Sequence, residues 1–317
     1  MGGDCVGGDW TEAGLPPAAA ARIAAVRGSG TWSSALSTGE FAALRAVGFE
    51  PVGQVMGSAV FHVGRSGRYW GYHDCLYGGM QYAFGGDPAP LALSGHGAPS
   101  AGLVEVLDRA RSTALERMTA ECSALGGDGV VAAQLTVEPF VANPNCLEFK
   151  VIGTAVRAAG TVRAPEPFTC HLDGQGFAKL VTAGWVPVEL LYGMSIGVRH
   201  DDYRTRAQMG SWSNVEVSGW SELVQAVRSD ARAHLQAQTG RRGGDGVILS
   251  AGRLRIWGES CMRRSNDDQK DHVAEATLLG TTVARFTARE EPPRTLSVMP
   301  LDPERRRRIM RRTATDM

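Results

Sequence analysis

The sequence predicts an α+β protein built from two copies of one small domain, each with the element order β-α-β-β. Three observations support this prediction. Four segments of the chain recur in the same order, each copy changes between strand and helix periodicity at matching places, and 317 residues suffice for about two domains. We therefore expect, in each copy, an antiparallel sheet packed by one long helix.

The internal repeat consists of four matched pairs of segments. Residues 41–52 recur as 177–188, residues 103–111 as 220–228, residues 126–130 as 243–247, and residues 152–156 as 279–283. Ordered repeats of this kind indicate duplication of a structural unit. They divide the chain into an N-terminal segment (1–35), a first copy (36–157), a linker (158–171), a second copy (172–286) and a Pro/Arg-rich tail (287–317).

Each copy begins with a short helix and a strand. Ser37 followed by Glu40 predicts a capping box, and Asp173 can cap the corresponding helix of the second copy. Gly48 and Gly184 end these helices, since glycine favours the left-handed conformation that terminates a helix. Strands are expected over 52–63 and 188–198.

A long helix and two strands complete each copy. Apolar residues recur every three or four positions, which predicts a helix with one buried face. They are Leu103, Leu107, Ala110, Ala114, Met118, Cys122 and Leu125 in the first copy, and Trp220, Leu223, Val224, Val227, Ala231 and Leu235 in the second. The strands are expected at 130–137 and 147–156, then at 247–257 and 274–286.

A glycine-rich turn follows each long helix. Its residues are Gly126, Gly127, Asp128 and Gly129, then Gly243, Gly244, Asp245 and Gly246. A dinucleotide fingerprint has the order strand, glycine loop, helix, whereas here the order is helix, loop, strand. We therefore interpret the turn as structural, with a glycine ending the helix and Asp128 bonding the turn backbone.

Residues 124–131 and 153–156 resemble the YbjQ-like family of heavy-metal-binding domains, and the second copy resembles it less closely. There, Arg241 and Arg242 precede the turn, and Thr282 replaces an alanine. The resemblance implies two dodecin-like, YbjQ-like domains that assemble into a homo-oligomeric ring, a pentamer. It also implies the metal-binding label.

His73 and Cys75 are the candidate metal ligands, because imidazole and thiolate suit zinc or copper. The alternative is that both are incidental loop residues, since no standard ligand spacing completes the site. No other cofactor is expected.

Arg111 and Arg228 occupy matching positions on the two long helices. An arginine at the same place in both copies can pair with a carboxylate of another subunit or bind an anion. The alternative is a solvated surface residue. Of the functional alternatives, we favour the intersubunit ion pair.

The segment 64–100 contains nine glycines and six aromatic residues, an unusual composition for a connection. The aromatic residues are Tyr69, Trp70, Tyr72, Tyr77, Tyr82 and Phe84. Tyrosine-rich, glycine-rich loops are typical of binding surfaces, so we expect this segment to contact another protein. A mobile loop without a partner is the alternative.

Composition and motifs limit the function further. Basic and acidic residues balance at 33 each, which argues against a nucleic-acid-binding surface apart from the arginines of the tail. No apolar run is long enough to span a bilayer, no signal sequence is recognisable, and the six cysteines are scattered, which together favour a cytoplasmic protein with reduced thiols.

No catalytic signature is present, so the sequence predicts a non-enzymatic homo-oligomeric ring that acts as a binding or scaffold module. Two alternatives stay open. One is a heavy-metal-binding or metal-sensing protein that uses His and Cys. The other is a small-molecule binder or an enzyme with a site between subunits.

Overall fold

The computed structural model describes residues 15–63, 91–93, 101–143, 145–161, 163, 165–260 and 270–286. These residues form six helices and eight strands. In chain order they are α1 (Pro17–Ser29), α2 (Thr38–Ala46), β1 (Phe49–His62), β2 (Leu91–Leu93), α3 (Ala101–Ala124), β3 (Gly129–Pro139), β4 (Cys146–Ala158), β5 (Phe168–Thr169), α4 (Gly174–Thr182), β6 (Trp185–His200), α5 (Tyr203–Met209), α6 (Ser218–Arg241), β7 (Gly246–Ser260) and β8 (Lys270–Arg285).

The strands form two sheets, and the predicted mixed α+β class is confirmed. Within the described residues, the first sheet has the order β1-β4-β3-β5 and the second has the order β2-β6-β8-β7. All neighbours are antiparallel except β3 and β5. β2 comes from the segment 64–100, yet it pairs with β6 of the second sheet, with Leu91 opposite Arg199. The remainder of that segment lies outside the described residues.

The order strand, long helix, strand, strand occurs twice, as β1-α3-β3-β4 and as β6-α6-β7-β8. Small irregularities recur with it. The pairing register shifts directly after Pro51 in β1 and directly after Pro187 in β6. Both halves also bring a glycine of the first strand against the long helix: a Cβ at Gly57 or Gly193 would collide with a helix carbonyl oxygen.

The long helix α3 lies between the two sheets. Its residues Leu107 and Met118 share one buried core with Val55 of β1 and with Met194 and Ile196 of β6. Removal of this apolar surface from water is the main force that holds the layers together. The two halves of the chain therefore pack against each other over a common core.

The second long helix, α6, packs on the opposite face of the second sheet. Leu223, Val227 and Ala231 of the helix contact Ala274 and Ala276 of β8. The layers thus follow the order first sheet, α3, second sheet, α6.

The predicted helix ends are present. Ser37 and Glu40 form the capping box of α2, and the Asp173 carboxylate accepts a hydrogen bond of 2.6 Å from the Gly176 amide. Gly48 and Gly184, with φ of 81° and 84°, take the left-handed conformation directly after the C-cap residues of α2 and α4. Local sequence signals therefore place these ends.

Two helices were not predicted, α1 and α5. Ala19 and Ile23 of α1 pack against Ala120 and Ala124 of α3. α5 begins at a cap formed by Asp202, whose carboxylate accepts a hydrogen bond of 2.7 Å from the Thr205 amide. None of the described helices combines the length and apolar character needed to cross a bilayer.

Candidate assembly surface

Arg111 is buried where α3 meets the second sheet. Its Nη1 donates hydrogen bonds of 3.0 Å to the Asp108 carboxylate and 3.0 Å to the Tyr192 carbonyl oxygen. The guanidinium carbon also lies 4.8 Å from the centroid of the Tyr192 ring. Burial lowers the pKa of Arg111 while Asp108 opposes the shift, and the side chain stays charged because arginine titrates so far above neutral pH. Arg111 therefore joins the first half of the chain to the second.

Arg228 occupies the matching position on α6 and is exposed. It belongs to the outward face of α6, which we define as Gln225, Arg228, Ser229 and Arg232, each partly or fully exposed. A shallow groove of about 470 Å³ lies beside the first turns of this face. Its lining residues are Glu216, Ser218, Ser221, Glu222, Gln225, Ala226 and Ser229. Among the described residues, no sheet covers α6 on the side that corresponds to the buried side of α3.

Part of the first sheet is also uncovered among the described residues, on the side turned away from α3. Gln54, Met56, Ser58 and Val60 alternate along β1 on this side and are partly or fully exposed, with Val60 at 45%. We call this side the outward face of the first sheet.

Two carboxylates lie side by side on the outward face of the first sheet. Glu148 of β4 is directly opposite Val60 on one neighbouring strand and Glu138 on the other. Its carboxylate also accepts a hydrogen bond of 3.0 Å from the Ser58 hydroxyl. Like charges directly opposite each other destabilise a sheet. Lys150, two residues along β4 on the same face, offsets part of this repulsion and leaves one net negative charge among the three side chains.

The matching carboxylate of the second sheet has a cation beside it. Glu275 of β8 lies opposite Ile196 and Arg255, and the Arg255 guanidinium is 3.7 Å from the Glu275 carboxylate. In the first sheet Glu138 stands where the second sheet has Arg255. The outward face of the first sheet is therefore the more acidic of the two surfaces.

The long helices also reach the first strand of each sheet with polar side chains. The Glu121 carboxylate accepts a hydrogen bond of 2.9 Å from the Met56 amide. In the second half, Gln238 donates to the Tyr192 carbonyl at 3.2 Å, and His234 Nδ1 donates to the Met194 carbonyl at 2.8 Å. Side chains that hydrogen-bond the backbone of a strand in this way occupy groups that could otherwise pair with a strand of another chain.

A buried polar cluster closes one end of the second sheet. His200 Nδ1 lies 2.5 Å from the Asp271 carboxylate, and His272 Nδ1 lies 3.1 Å from the Asp201 carboxylate. Trp220 donates to Asp201 at 3.1 Å, and its ring is 4.7 Å from the His272 ring. A carboxylate on Nδ1 orients an imidazole in the way that general bases require, and it also locks the start of α6 to β8.

The connection between β6 and α6 exposes apolar side chains that sequence reasoning missed. Trp212 is fully exposed, Tyr203 is 81% exposed, and Met209 and Val215 are also on the surface. A signal for these residues was available in the sequence. Residues 201–217 connect the first strand to the long helix, as the aromatic segment 64–100 does in the first half, so their aromatic residues could have been examined for the same role.

The predicted structural turns have the same geometry in both halves. Gly126 and Gly243 take the left-handed conformation after the long helices, with φ of 73° and 70°. The Asp128 carboxylate accepts a hydrogen bond of 2.7 Å from the Ala158 amide, and the Asp245 carboxylate accepts one of 2.8 Å from the Arg285 amide.

These carboxylates therefore bond the end of the last strand instead of the turn backbone. Each of these hydrogen bonds fixes the glycine-rich turn to the last strand of its sheet. The other turn glycines are Gly127, Gly129, Gly244 and Gly246.

Several predicted site residues lie outside the described residues. They are His73, Cys75, Tyr69, Trp70, Tyr72, Tyr77, Tyr82 and Phe84. Within the described part of the chain, no three His, Cys, Asp or Glu side chains are grouped to hold a metal ion. Burial raises the pKa of the Cys122 and Cys170 thiols to about 12, so neither is a ready thiolate ligand or nucleophile near neutral pH.

Two comparisons place the chain among known proteins. Residues 94–159, which include α3, β3 and β4, match the family model YbjQ_1, described as "Putative heavy-metal-binding". The first half therefore contains a YbjQ-like domain. The chain is also 32% identical over 242 residues to the encapsulin nanocompartment protein Rv1762c of Mycobacterium tuberculosis. That alignment covers 74% of this chain and 81% of the relative.

Proposed function

The chain belongs to the family of the encapsulin nanocompartment protein Rv1762c, and on that premise we propose that it is a self-assembling scaffold of an encapsulin-type nanocompartment. In this proposal it is a cytoplasmic, non-enzymatic protein that forms a homo-oligomeric ring. The family resemblance favours five chains per ring.

We further propose that residues 36–157 and 172–286 are two YbjQ-like domains in tandem. The repeated element order, the register shifts after Pro51 and Pro187, and the matching bonds of Asp128 and Asp245 support this interpretation. Short-range irregularities of this kind recur at matching positions when one fold is used twice, since bulges are conserved within families.

One observation carries the scaffold proposal: within the described part of the chain, sheets cover α3 on two sides and α6 on one. In the first half, the second sheet completes the burial of the helix. In the second half, the matching surface of α6 is open, and so is the outward face of the first sheet. The helix face and the sheet face that stay open correspond to the two sides of the contact inside the chain. Such a pair of surfaces allows one copy to bind the next.

Native mass spectrometry of the purified full-length chain tests the proposal. We expect one discrete oligomer at micromolar concentration, with a mass of five chains. A monomer at that concentration would contradict the scaffold function.

A second candidate, a small-molecule site, is favoured by the His272–Asp201 pair beside Trp220. Ligand sites place a few polar groups among apolar and aromatic side chains, and this cluster has that composition. Mass spectrometry of compounds extracted from the purified protein tests it, with His272→Asn as the matched variant. A compound that co-purifies with the wild type and is lost in the variant would support this candidate, and identical extracts would exclude it.

A further inference from the structure

We propose that the outward face of α6 docks on the outward face of the first sheet in a second copy of this chain. The contact would repeat, between chains, the one that α3 makes with the second sheet inside one chain. This inference rests on the proposed self-assembly and identifies its two surfaces.

The geometry of the internal contact leads to this assignment. The two halves share the same element order and the same helix-on-sheet packing, so each half presents one outer helix face and one outer sheet face. Inside the chain, the helix face of the first half meets the sheet face of the second. The outward face of α6 corresponds to the face of α3 that contacts the second sheet. The sheet face that corresponds to its partner is the outward face of the first sheet, and we place it in another copy of the chain. Such a contact is heterologous, and it forms a closed ring when the rotation between successive copies divides a full turn.

Matching positions identify the residues in contact. Arg111 of α3 matches Arg228 of α6, and Tyr192 of β6 matches Met56 of β1. Within the chain, Arg111 donates to the Tyr192 carbonyl oxygen at 3.0 Å. Between chains, Arg228 would donate to the Met56 carbonyl oxygen of the second copy. An arginine retained at both positions thus performs one task twice.

Charge complementarity supports the same pairing. Arg228 and Arg232 are four residues apart and lie on one side of α6. The opposed carboxylates Glu138 and Glu148 on the first sheet repel each other. Lys150 lies two residues further along β4 on the same face and balances one of the two charges. In the second sheet Arg255 lies opposite the single carboxylate Glu275. For the first sheet, Arg232 of the docked helix supplies the second positive charge.

The composition of the two contacts differs in the expected direction. The internal contact is apolar: Leu190, Met194, Ile196 and Val198 of β6 are buried in the core that contains α3. At the position of Arg232, α3 has Leu115, which packs against that core. The open faces carry arginine, glutamate and serine instead. Surfaces that stay soluble before assembly have this polar character, whereas permanently buried ones are apolar.

Photo-crosslinking tests the contact directly. Ser229→p-benzoylphenylalanine, which keeps Arg228 and lies beside it on the outward face of α6, is assembled with isotopically labelled chains so that crosslinks between chains are recognised by mass. We expect α6 to crosslink to residues 54–60 of another chain. Crosslinks from α6 to α6, or from α6 to β7, would overturn the proposal.

Charge reversal provides a second test. Arg228→Glu and Arg232→Glu are each expected to weaken assembly by about a hundredfold. Arg228→Glu replaces the donor to the Met56 carbonyl oxygen with an acceptor, and Arg232→Glu brings a third carboxylate to Glu138 and Glu148. Combining Arg232→Glu with Glu148→Arg should restore much of the loss. Arg253→Glu makes the same charge change on exposed β7 and should leave assembly unchanged. If Arg253→Glu dissociates the oligomer and the α6 variants do not, the interface is the β7 edge.

The possible results distinguish a wrong interface from a wrong scaffold function. A monomeric wild-type chain contradicts both. An oligomeric wild type that tolerates both α6 variants and crosslinks elsewhere contradicts only the interface assigned here.

Discussion

At the residue scale, the glycines of the first strand in each half set how closely the long helix approaches its sheet. Gly57 of β1 faces the Ala114 carbonyl of α3, and Gly193 of β6 faces the Ala231 carbonyl of α6. A side chain at either position would collide with helix backbone, which cannot rotate away as a long side chain would. The helix can therefore lie flat on the strand only because these residues lack a Cβ.

We predict that Gly57→Ala lowers the free energy of unfolding by about 2–3 kcal/mol, since overpacking against backbone forces α3 to move. Urea denaturation monitored by circular dichroism measures the change. Gly28→Ala in α1 is the matched control, because nothing lies within 4 Å of a Cβ there, and stability should be unchanged or slightly higher. Equal losses in the two variants would show that the close approach is unimportant.

His171 gives a pH-dependent prediction. Burial lowers its pKa, and its Nδ1 lies 2.6 Å from the Thr281 hydroxyl of β8. The folded state therefore favours neutral imidazole, so the unfolded chain binds the proton first as pH falls. The contribution of His171 to the free energy of unfolding is fully present above the ordinary histidine pKa of about 6.5. It is lost as pH decreases below that value, by at most about 1.4 kcal/mol per pH unit. His171→Asn should flatten the fall in melting temperature between pH 7 and pH 5.5, and an unchanged profile would contradict the assignment.

At the element scale, the two long helices have the same length and opposite surroundings. Arg111 lies buried on a helix between two sheets, whereas Arg228 lies exposed on a helix with one. The difference comes from the neighbouring elements, since the two helices carry the same residue at this position.

We therefore predict that Arg111→Ala lowers the free energy of unfolding by about 3 kcal/mol at every protein concentration, because it removes buried hydrogen bonds and leaves a void. Arg228→Ala should change the stability of the dissociated chain by less than about 0.5 kcal/mol. Its effect should appear only at concentrations where the chain assembles, as mass action requires. Denaturation over a dilution series measures both, and a concentration-independent loss for Arg228→Ala would contradict the interface.

Elements with local signals were predictable from the sequence, and elements created by distant contacts were not. The capping box at Ser37, the glycine stops and the apolar spacing of α3 are all readable within a few residues. β2 and β5 are short, and each exists because a strand far along the chain pairs with it.

The candidate surface shows the same limit. The match between Arg111 and Arg228 pointed to the helix faces concerned. The burial of Arg111 could not be read from its own helix, because the surface that buries it belongs to β6, 81 residues away.

At the scale of the whole molecule, the described layers of sheet and helix leave one helix face and one sheet face without a counterpart among the described residues. The self-assembly proposed above uses these two faces and needs no bound ion. We therefore predict that the native oligomer, purified without a histidine tag and dialysed extensively, carries no stoichiometric zinc or copper. Elemental analysis measures this directly. A metal content of about one equivalent per chain that disappears in the double variant His73→Ala/Cys75→Ala would contradict the prediction and support the metal-binding alternative.

The whole molecule also separates what is needed for folding from what is available for binding. The second half joins its first strand to its long helix through residues 201–217, so the much longer segment 64–100 exceeds what this fold requires. We expect the excess to contact a partner, since three or four of its six aromatic residues, at about 2 kcal/mol each, would together support micromolar binding.

Replacing residues 71–87 with a short Gly/Ser linker tests this expectation and leaves β2, which pairs with β6, in place. We predict a nearly unchanged melting temperature and an unchanged oligomer mass, because the sheets, the long helices and the faces of the proposed interface all lie elsewhere. The variant should lose the partner, or the higher-order association, that the wild type shows in affinity purification and light scattering. A linker variant that unfolds, or that no longer forms the oligomer, would instead make the segment part of the folded scaffold. That result would shift the binding role to the exposed Trp212 and Tyr203 of the matching connection.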